Sequence, residues 1–272
     1  MSITRIASQQ SAFQSATDIG GAGNRLASSS LTLSTGQRIN SAGDDPAGFS
    51  LARTLSARGA GLTQSIANIG NATNALNIAE SGLVAISDLT LQIGERAVQA
   101  ADGSLNDGQR AAIQGEIDAL VAEIDDIARE TSFQDQALID GTFTDRSVQT
   151  GPDPGDTFNL SIGNGTAEAL GLDAIDVTTQ AGASAAIDQA AQAQADVTAA
   201  AQEVGQAQTQ LRAREDNLVT TALNNEAVRS RVEDADVAEE LLNSTRNQIL
   251  LQSAIAAEAQ GNASAQEVLK LF

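Results

Sequence analysis

The chain has 272 residues, 42% of them hydrophobic, and it carries a formal net charge of −20 with six Phe as its whole aromatic content. Its length suits one large domain or two modest ones, and its 15 Lys and Arg are too few and too scattered to neutralise a phosphate backbone, which excludes nucleic acid as a partner. With no His and no Cys, imidazole and thiol catalysis, Cys/His metal sites and disulfides are excluded together.

Residues 1–35 set Ile3, Ile6, Phe13, Ile19, Leu26 and Leu33 at roughly helical spacing, interrupted by Gly20, Gly21 and Gly23. Each glycine costs a helix about 1 kcal/mol relative to Ala, so this segment is expected to be weakly helical in isolation. Asp44-Asp45-Pro46 is a start signal, since Asp45 can cap the first amides and Pro46 suits the first helical position. Apolar or small residues then recur from Leu51 to Ala100 at three- and four-residue steps, which predicts a helix over 46–101. At 1.5 Å per residue it is roughly 80 Å long, a length that belongs in a bundle or coiled coil. Asp102-Gly103 ends it, and Ser104 with Asp107 resembles a capping box for a next helix. Ile113, Ile117, Leu120, Ile124 and Ile127 form a clean amphipathic stripe, ending near Thr131.

From 138 to 180 the pattern changes. Asp140-Gly141 and Pro152-Asp153-Pro154-Gly155-Asp156 are turn signals, and Phe158, Leu160 and Ile162 alternate as in a half-buried strand. One or two β-hairpins are expected here. Helical periodicity returns over 183–229 through Ile187, Ala190, Val197, Ala201, Val204, Leu211, Leu218 and Ala222. Asp236 with Glu239 marks the start of a last helix, whose face holds Leu241, Leu242, Ile249 and Ala256. The chain closes on Val268-Leu269-Lys270-Leu271-Phe272.

The expected fold is mainly α, a long antiparallel helical bundle or coiled-coil rod with a small β-hairpin region and both termini together at one end. Each terminal stripe is expected to be one-sided and uncovered, which calls for a partner. No stretch approaches 18 apolar residues, so no membrane span is expected. The terminal helices also lack the basic face of a membrane-surface helix. The first residues lack the unbroken apolar run of a secretory signal, which taken alone favours the cytoplasm.

No catalytic constellation emerges, and no cofactor or metal is expected. The acidic pairs Asp44/Asp45, Asp125/Asp126 and Glu239/Glu240 read as helix caps and solvated faces, because adjacent carboxylates on a helix point apart. Gly20-Gly21-Ala22-Gly23 and Gly163-Asn164-Gly165 lack the lysine and the strand–helix context of a nucleotide loop.

Two motifs carry a family resemblance. Ser34-Thr35-Gly36-Gln37-Arg38-Ile39-Asn40-Ser41-Ala42-Gly43-Asp44-Asp45-Pro46-Ala47-Gly48 resembles the N-terminal signature of bacterial flagellins. Ser230-Arg231-Val232-Glu233-Asp234-Ala235-Asp236-Val237-Ala238-Glu239-Glu240, with Thr245 and Gln248-Ile249-Leu250 after it, resembles the C-terminal signature. The tail from Gln266 to Phe272 is similar to the family's hydrophobic tail, and Ala97-Val98-Gln99 and Asn217-Leu218 extend the likeness over nearly the whole chain.

The resemblance implies a non-enzymatic subunit that polymerises into the flagellar filament for motility. The nearest rival is a hook–filament junction protein of the same terminal design. It implies a filament-core domain made of residues 1–44 and 231–272. A rod domain would consist of N-terminal helices over 45–137, β-hairpins over 138–180 and a C-terminal helix over 181–230. Assembly would bury Ile3, Ile6, Phe13, Leu241, Ile249, Leu269, Leu271 and Phe272 between copies. Arg38 and Arg53 would either pair with carboxylates of neighbours or stand solvated at the surface, and Asp44 and Asp45 belong to the same expected interface. Implied partners are further copies of the chain, an export chaperone, and the cap and hook-junction proteins. The implied location is the extracellular flagellum, reached unfolded through the type III export channel without a cleaved signal peptide.

Three departures stand out. The Gly20–Gly23 cluster lies where the family continues its inner helix, so that helix is expected to be broken or shortened. The proline often found before the tail is replaced around Ala263-Ser264-Ala265. Gln92 stands where many flagellins carry an arginine contacted by the animal innate-immunity receptor, and Thr209-Gln210 stands for Asn-Arg, so weak recognition by that receptor is expected.

Overall fold

The computed structural model describes the backbone of residues 2–270 and the side chains of residues 10 and 13–263. In chain order it forms α1 (Ser2–Thr35), α2 (Pro46–Ala100), α3 (Asp107–Glu130), β1 (Ser132–Phe133), β2 (Gln136–Ala137), β3 (Arg146–Gln149), β4 (Thr157–Leu160), α4 (Gln180–Glu233) and α5 (Val237–Lys270). These elements divide into two compact units, one of residues 1–58 with 224–272 and one of residues 59–223. The fold is mainly α, with two small antiparallel strand pairs.

The 59–223 unit is built on two seams of heptad type. On α2 a buried seam runs through Leu62, Ser65, Ile69, Ala72, Leu76, Ala79, Leu83, Ile86, Thr90, Ile93, Ala97 and Ala100 at alternating three- and four-residue steps, with Ala75 and Gly82 buried beside it. On α4 the seam runs through Ala183, Ala186, Ala190, Ala193, Val197, Ala200, Val204, Ala207 and Leu211 in the same alternation, with Gln208 buried beside it. Such a repeat keeps one edge of a helix against its partner along its length. The α4 seam differs from the expected stripe: Ile187 and Ala201 are only partly buried, and small alanines carry the contact. Alanine lets backbones approach closely, so the large Leu and Ile of α2 fill the space that alanines leave. Side-chain bonds fix the antiparallel register, with Gln194 donating to the Ser87 hydroxyl and Gln208 to Asn77 and Glu80.

Helix α3 adds Ile113, Ile117, Ile124 and Ala128 to this core, with Leu120 and Ile127 packed at its edge. Its cap is not the expected Ser104/Asp107 pair. Asn106 accepts from the Gln109 amide and the Gln109 side chain accepts from the Asn106 amide, while Ser104 lies in a turn held by Asp102. Arg110, only 7% exposed, closes the α2–α3 connection by donating to the carbonyls of Ala100, Asp102 and Leu105.

The hairpins begin earlier than the expected boundary at 138. β1 and β2 turn through Gln134 and Asp135, both at positive φ (51° and 62°). β3 pairs with β4 in the register Arg146↔Leu160 to Gln149↔Thr157. Leu160 and Ile162 are buried, although Ile162 lies beyond β4. The Ile162 amide donates to the Phe143 carbonyl and the Gly165 amide to the Ile139 carbonyl, which binds this loop to the core.

The other unit holds α1 and α5 side by side. α1 is unbroken through Gly20–Gly23, contrary to the expected interruption. Ala22 is 2% exposed within that cluster, so packing there offsets the weak propensity of its glycine neighbours. Among the described residues no helix is long and apolar enough to cross a membrane.

Candidate functional site

The two motif segments meet at the junctions of α1 with α2 and of α4 with α5. Gly36 adopts φ +70°, which an L side chain rarely does, and turns the chain out of α1. Gln37 then bridges Asp234 in antiparallel fashion. The Arg38 amide donates to the Glu233 carbonyl at 2.6 Å, and the Ala235 amide donates to the Gly36 carbonyl at 2.9 Å. The Arg38 guanidinium donates to the Val232 carbonyl at 2.8 Å, satisfying a backbone acceptor near the C-terminus of α4. Glu233 itself receives Arg229, whose guanidinium also engages Glu226 and is held more basic than usual, first by Glu226 and then by Glu233.

The acidic candidates have local work. Asp44 Oδ2 accepts from the amides of Ser41 and Asn40 and from the Ser41 hydroxyl. These bonds, the Ser41 amide foremost, hold its carboxyl below the usual range. Asp45 caps α2 as expected, accepting from the Ala47 and Gly48 amides. Asp236 caps α5 through the Ala238 and Glu239 amides. Arg53 lies over the Phe49 ring at 5.0 Å. Arg38, Asp44, Asp45 and Arg53 are thus all engaged within the chain, at the clasp or at the start of α2.

Beyond the clasp, α1 and α5 run antiparallel, with Asn247 reaching Ser29 at 3.4 Å. Their contact is unlike an ordinary core. Among the described residues of this pair the fully buried side chains are small: Ala22, Ser29 and Ser244. Many large apolar groups face outward: Phe13 is 74% exposed, Leu242 69%, Ile249 61% and Leu241 58%, and Leu31, Val237, Leu250 and Ile255 are exposed as well, whereas Ile19, Leu26, Leu33 and Leu251 are half-buried. At about 100° per residue, Leu241 and Leu250 lie roughly 180° apart around α5, and Leu242 and Ile249 lie between them. The exposed face is therefore not the expected one-sided stripe. A helix apolar on opposite sides needs cover from more than one direction.

Of the other expected interface residues, Ile3, Ile6 and Leu269 stand on α1 and α5 with side chains outside the described residues, and Leu271 and Phe272 lie outside them altogether. The expected interface omits Leu31, Val237, Leu242, Leu250 and Ile255, though all five are apolar and open to the same periodicity. Among the described residues no group of three or more acidic side chains could hold a metal ion.

Comparison with known proteins matches residues 6–144 to the bacterial flagellin N-terminal helical region and residues 186–272 to the bacterial flagellin C-terminal helical region. The 30.7 kDa flagellar filament core protein of Treponema maltophilum is 32% identical over 255 residues, covering 88% of this chain and 90% of the relative. A flagellin of Halalkalibacterium halodurans is 32% identical over 242 residues, covering 88% of this chain and 89% of its own. Among solved structures, one described as a flagellar hook-associated protein from Vibrio parahaemolyticus superposes with a TM-score of 0.60 at 21% identity, over 70% of this chain and all of the other, a likeness of fold.

Proposed function

The chain belongs to the bacterial flagellin family and is a structural subunit of the flagellar filament, and we propose that it polymerises through the exposed faces of α1 and α5. One observation carries this reading: the helical pair buries Ala22, Ser29 and Ser244 while presenting Phe13, Leu241, Leu242 and Ile249 to solvent. Burying a Leu, Ile or Phe side chain contributes roughly 1.5–3 kcal/mol, so several per subunit supply the main attraction. Neighbours must meet these groups from different sides of α5, and unlike contacts of that kind generate an open helical array. Ile3, Ile6, Leu269, Leu271 and Phe272 are assigned to the same contact. Arg38, Asp44, Asp45 and Arg53 serve it indirectly, by fixing how α1 and α5 leave their junctions.

The filament places the protein outside the cell. In this reading it travels there through the type III export channel, escorted by an export chaperone and guided into place by cap and hook-junction proteins. The role is structural and not catalytic. Recognition by the animal innate-immunity receptor is weak, because Gln92 replaces an arginine that it contacts in many flagellins and Thr209-Gln210 replaces an Asn-Arg pair.

Electron microscopy of purified protein after nucleated assembly tests the proposal. Micrometre-long fibres are the expected product. Short capped oligomers would favour a hook–filament junction protein, which acts in few copies.

A further inference from the structure

The chain holds a single Asn-Gly pair, Asn164-Gly165, in the loop that follows β4. Such a pair carries a reaction of its own. The backbone nitrogen after an asparagine can attack the side-chain carbonyl carbon, and glycine has no Cβ to hinder the approach. As the new N–Cγ bond closes a succinimide ring, the Cγ–Nδ2 bond breaks and ammonia leaves. Water then opens the ring at either carbonyl. One opening gives aspartate, and the other gives isoaspartate, with one extra methylene in the main chain.

The fold withholds what this reaction needs. Gly165 is buried and its amide donates to the Ile139 carbonyl at 2.7 Å, so the attacking nitrogen is engaged and out of water. Asn164 Oδ1 accepts from the Thr166 amide at 3.0 Å, which holds the carboxamide in a turn. The same side chain lies against Gly141, where a Cβ would stand 2.6 Å from Nδ2. Asn164 is nevertheless exposed, so these bonds and not burial of its side chain protect it.

We infer that Asn164 is a deamidation site switched by folding, reactive in the unfolded chain and closed once its loop seats on Ile139. In the folded protein the reaction waits for local opening and runs at the unfolded rate multiplied by the open fraction. Conversion therefore records the time that a chain spends unfolded. The mark also harms refolding. A Cβ on Gly165 would already stand 3.0 Å from Ile86 Cδ1, so a main chain lengthened beside it cannot restore both that packing and the Ile139 bond. Under the export reading above, on which this sentence alone rests, the unfolded transit of the chain is when the site reacts.

The test holds the full chain at one mildly alkaline pH and one temperature, folded in buffer and unfolded in guanidinium chloride. Peptide mass spectrometry follows the exchange of NH2 for OH at residue 164. The unfolded chain should convert about 100-fold faster or more. Asn164→Gln in guanidinium should lack this fast conversion, and being unfolded there it serves as a control whether or not it can fold. Isoaspartate chains, separated and returned to buffer, should unfold at lower denaturant than unaged protein. Asn164→Asp, which adds the charge without the methylene, should stay near the parent. Equal rates in the two states, no conversion in either, or an isoaspartate chain as stable as the parent overturns the inference. So does Asn164→Asp as unstable as isoaspartate, since charge would then be the cause. No readout here requires a polymer, so failure of the inference is distinct from failure of the filament reading.

Discussion

The Arg38 guanidinium and the Val232 carbonyl meet at 2.8 Å across 194 residues of sequence, joining the segment after α1 to the last turn of α4. The Arg38 amide bonds Glu233 beside it, so the same residue holds the junction by its backbone and its side chain. Arg38→Ala should lower stability by about 1 kcal/mol, since a charged donor to a carbonyl is lost at an exposed site. Hydrogen exchange at the Ala235 amide should accelerate. An unchanged exchange rate there would show that the side chain contributes nothing to the clasp.

Arg110 should matter more. Its three bonds to Ala100, Asp102 and Leu105 lie largely out of water, and Arg110→Ala leaves those carbonyls without their charged donor. A loss of about 2–4 kcal/mol is expected in urea unfolding. Arg110→Lys should recover little of it, because an ammonium cannot reproduce the guanidinium fork. Full rescue by lysine would contradict this account.

Two glycines of α2 should respond with opposite signs. A Cβ on Gly70 would meet nothing within 4 Å, so Gly70→Ala should stabilise by about 0.5–1 kcal/mol through helix propensity. A Cβ on Gly82 would lie 2.7 Å from Thr131 Oγ1 and 2.9 Å from Ile139 Cδ1. Gly82→Ala should therefore destabilise, by roughly 1–3 kcal/mol from overpacking. Equal shifts in melting temperature would refute the close approach of α2 to the first hairpin.

Stability should be flat near neutral pH, because the chain has no His. Hydrogen bonds hold the carboxyls of Asp44, Asp102, Asp140 and Asp176 below their usual range, chiefly from the Ser41 and Ser104 amides and the Thr142 and Thr178 hydroxyls, respectively. A folded value below the unfolded one stabilises above the unfolded pKa, and that contribution fades as pH falls through the folded value. Thermal unfolding followed by circular dichroism should give a constant midpoint from about pH 5 to 8 and a decline below about pH 4. A midpoint that drifts between pH 6 and 8 would point to a titrating group that this account lacks.

Much of this architecture was legible because its signals are local. Asp45-Pro46 and Asp236 announce helix starts through their own side chains, and the isoleucines of α3 state their period outright. Other features depend on what lies nearby in space. Ser104/Asp107 and Asn106/Gln109 offer comparable capping patterns, and only the packed turn selects the second. The α4 seam runs through alanines, whose weak hydrophobic signal yields to larger neighbours such as Ile187. Gln134-Asp135 turns at positive φ without the glycine that marks such turns. Arg110 binds backbone carbonyls, which leave no trace in sequence. The apolar residues of α1 and α5 were readable, but not that Phe13, Leu241, Leu242 and Ile249 face outward while Ala22, Ser29 and Ser244 are buried, because burial is a property of neighbours.

The most direct test of the polymer contact uses the absence of cysteine. Ile249→Cys introduces one thiol on the exposed face of α5, and Glu130→Cys one on α3 of the 59–223 unit. Maleimide labelling is then timed in monomer and in assembled fibre. Both thiols should react readily in the monomer, and assembly should slow position 249 about tenfold or more, in keeping with burial of the thiol, while position 130 stays reactive. Equal labelling of position 249 in fibre and monomer would contradict the assignment of α1 and α5 as the joining surface.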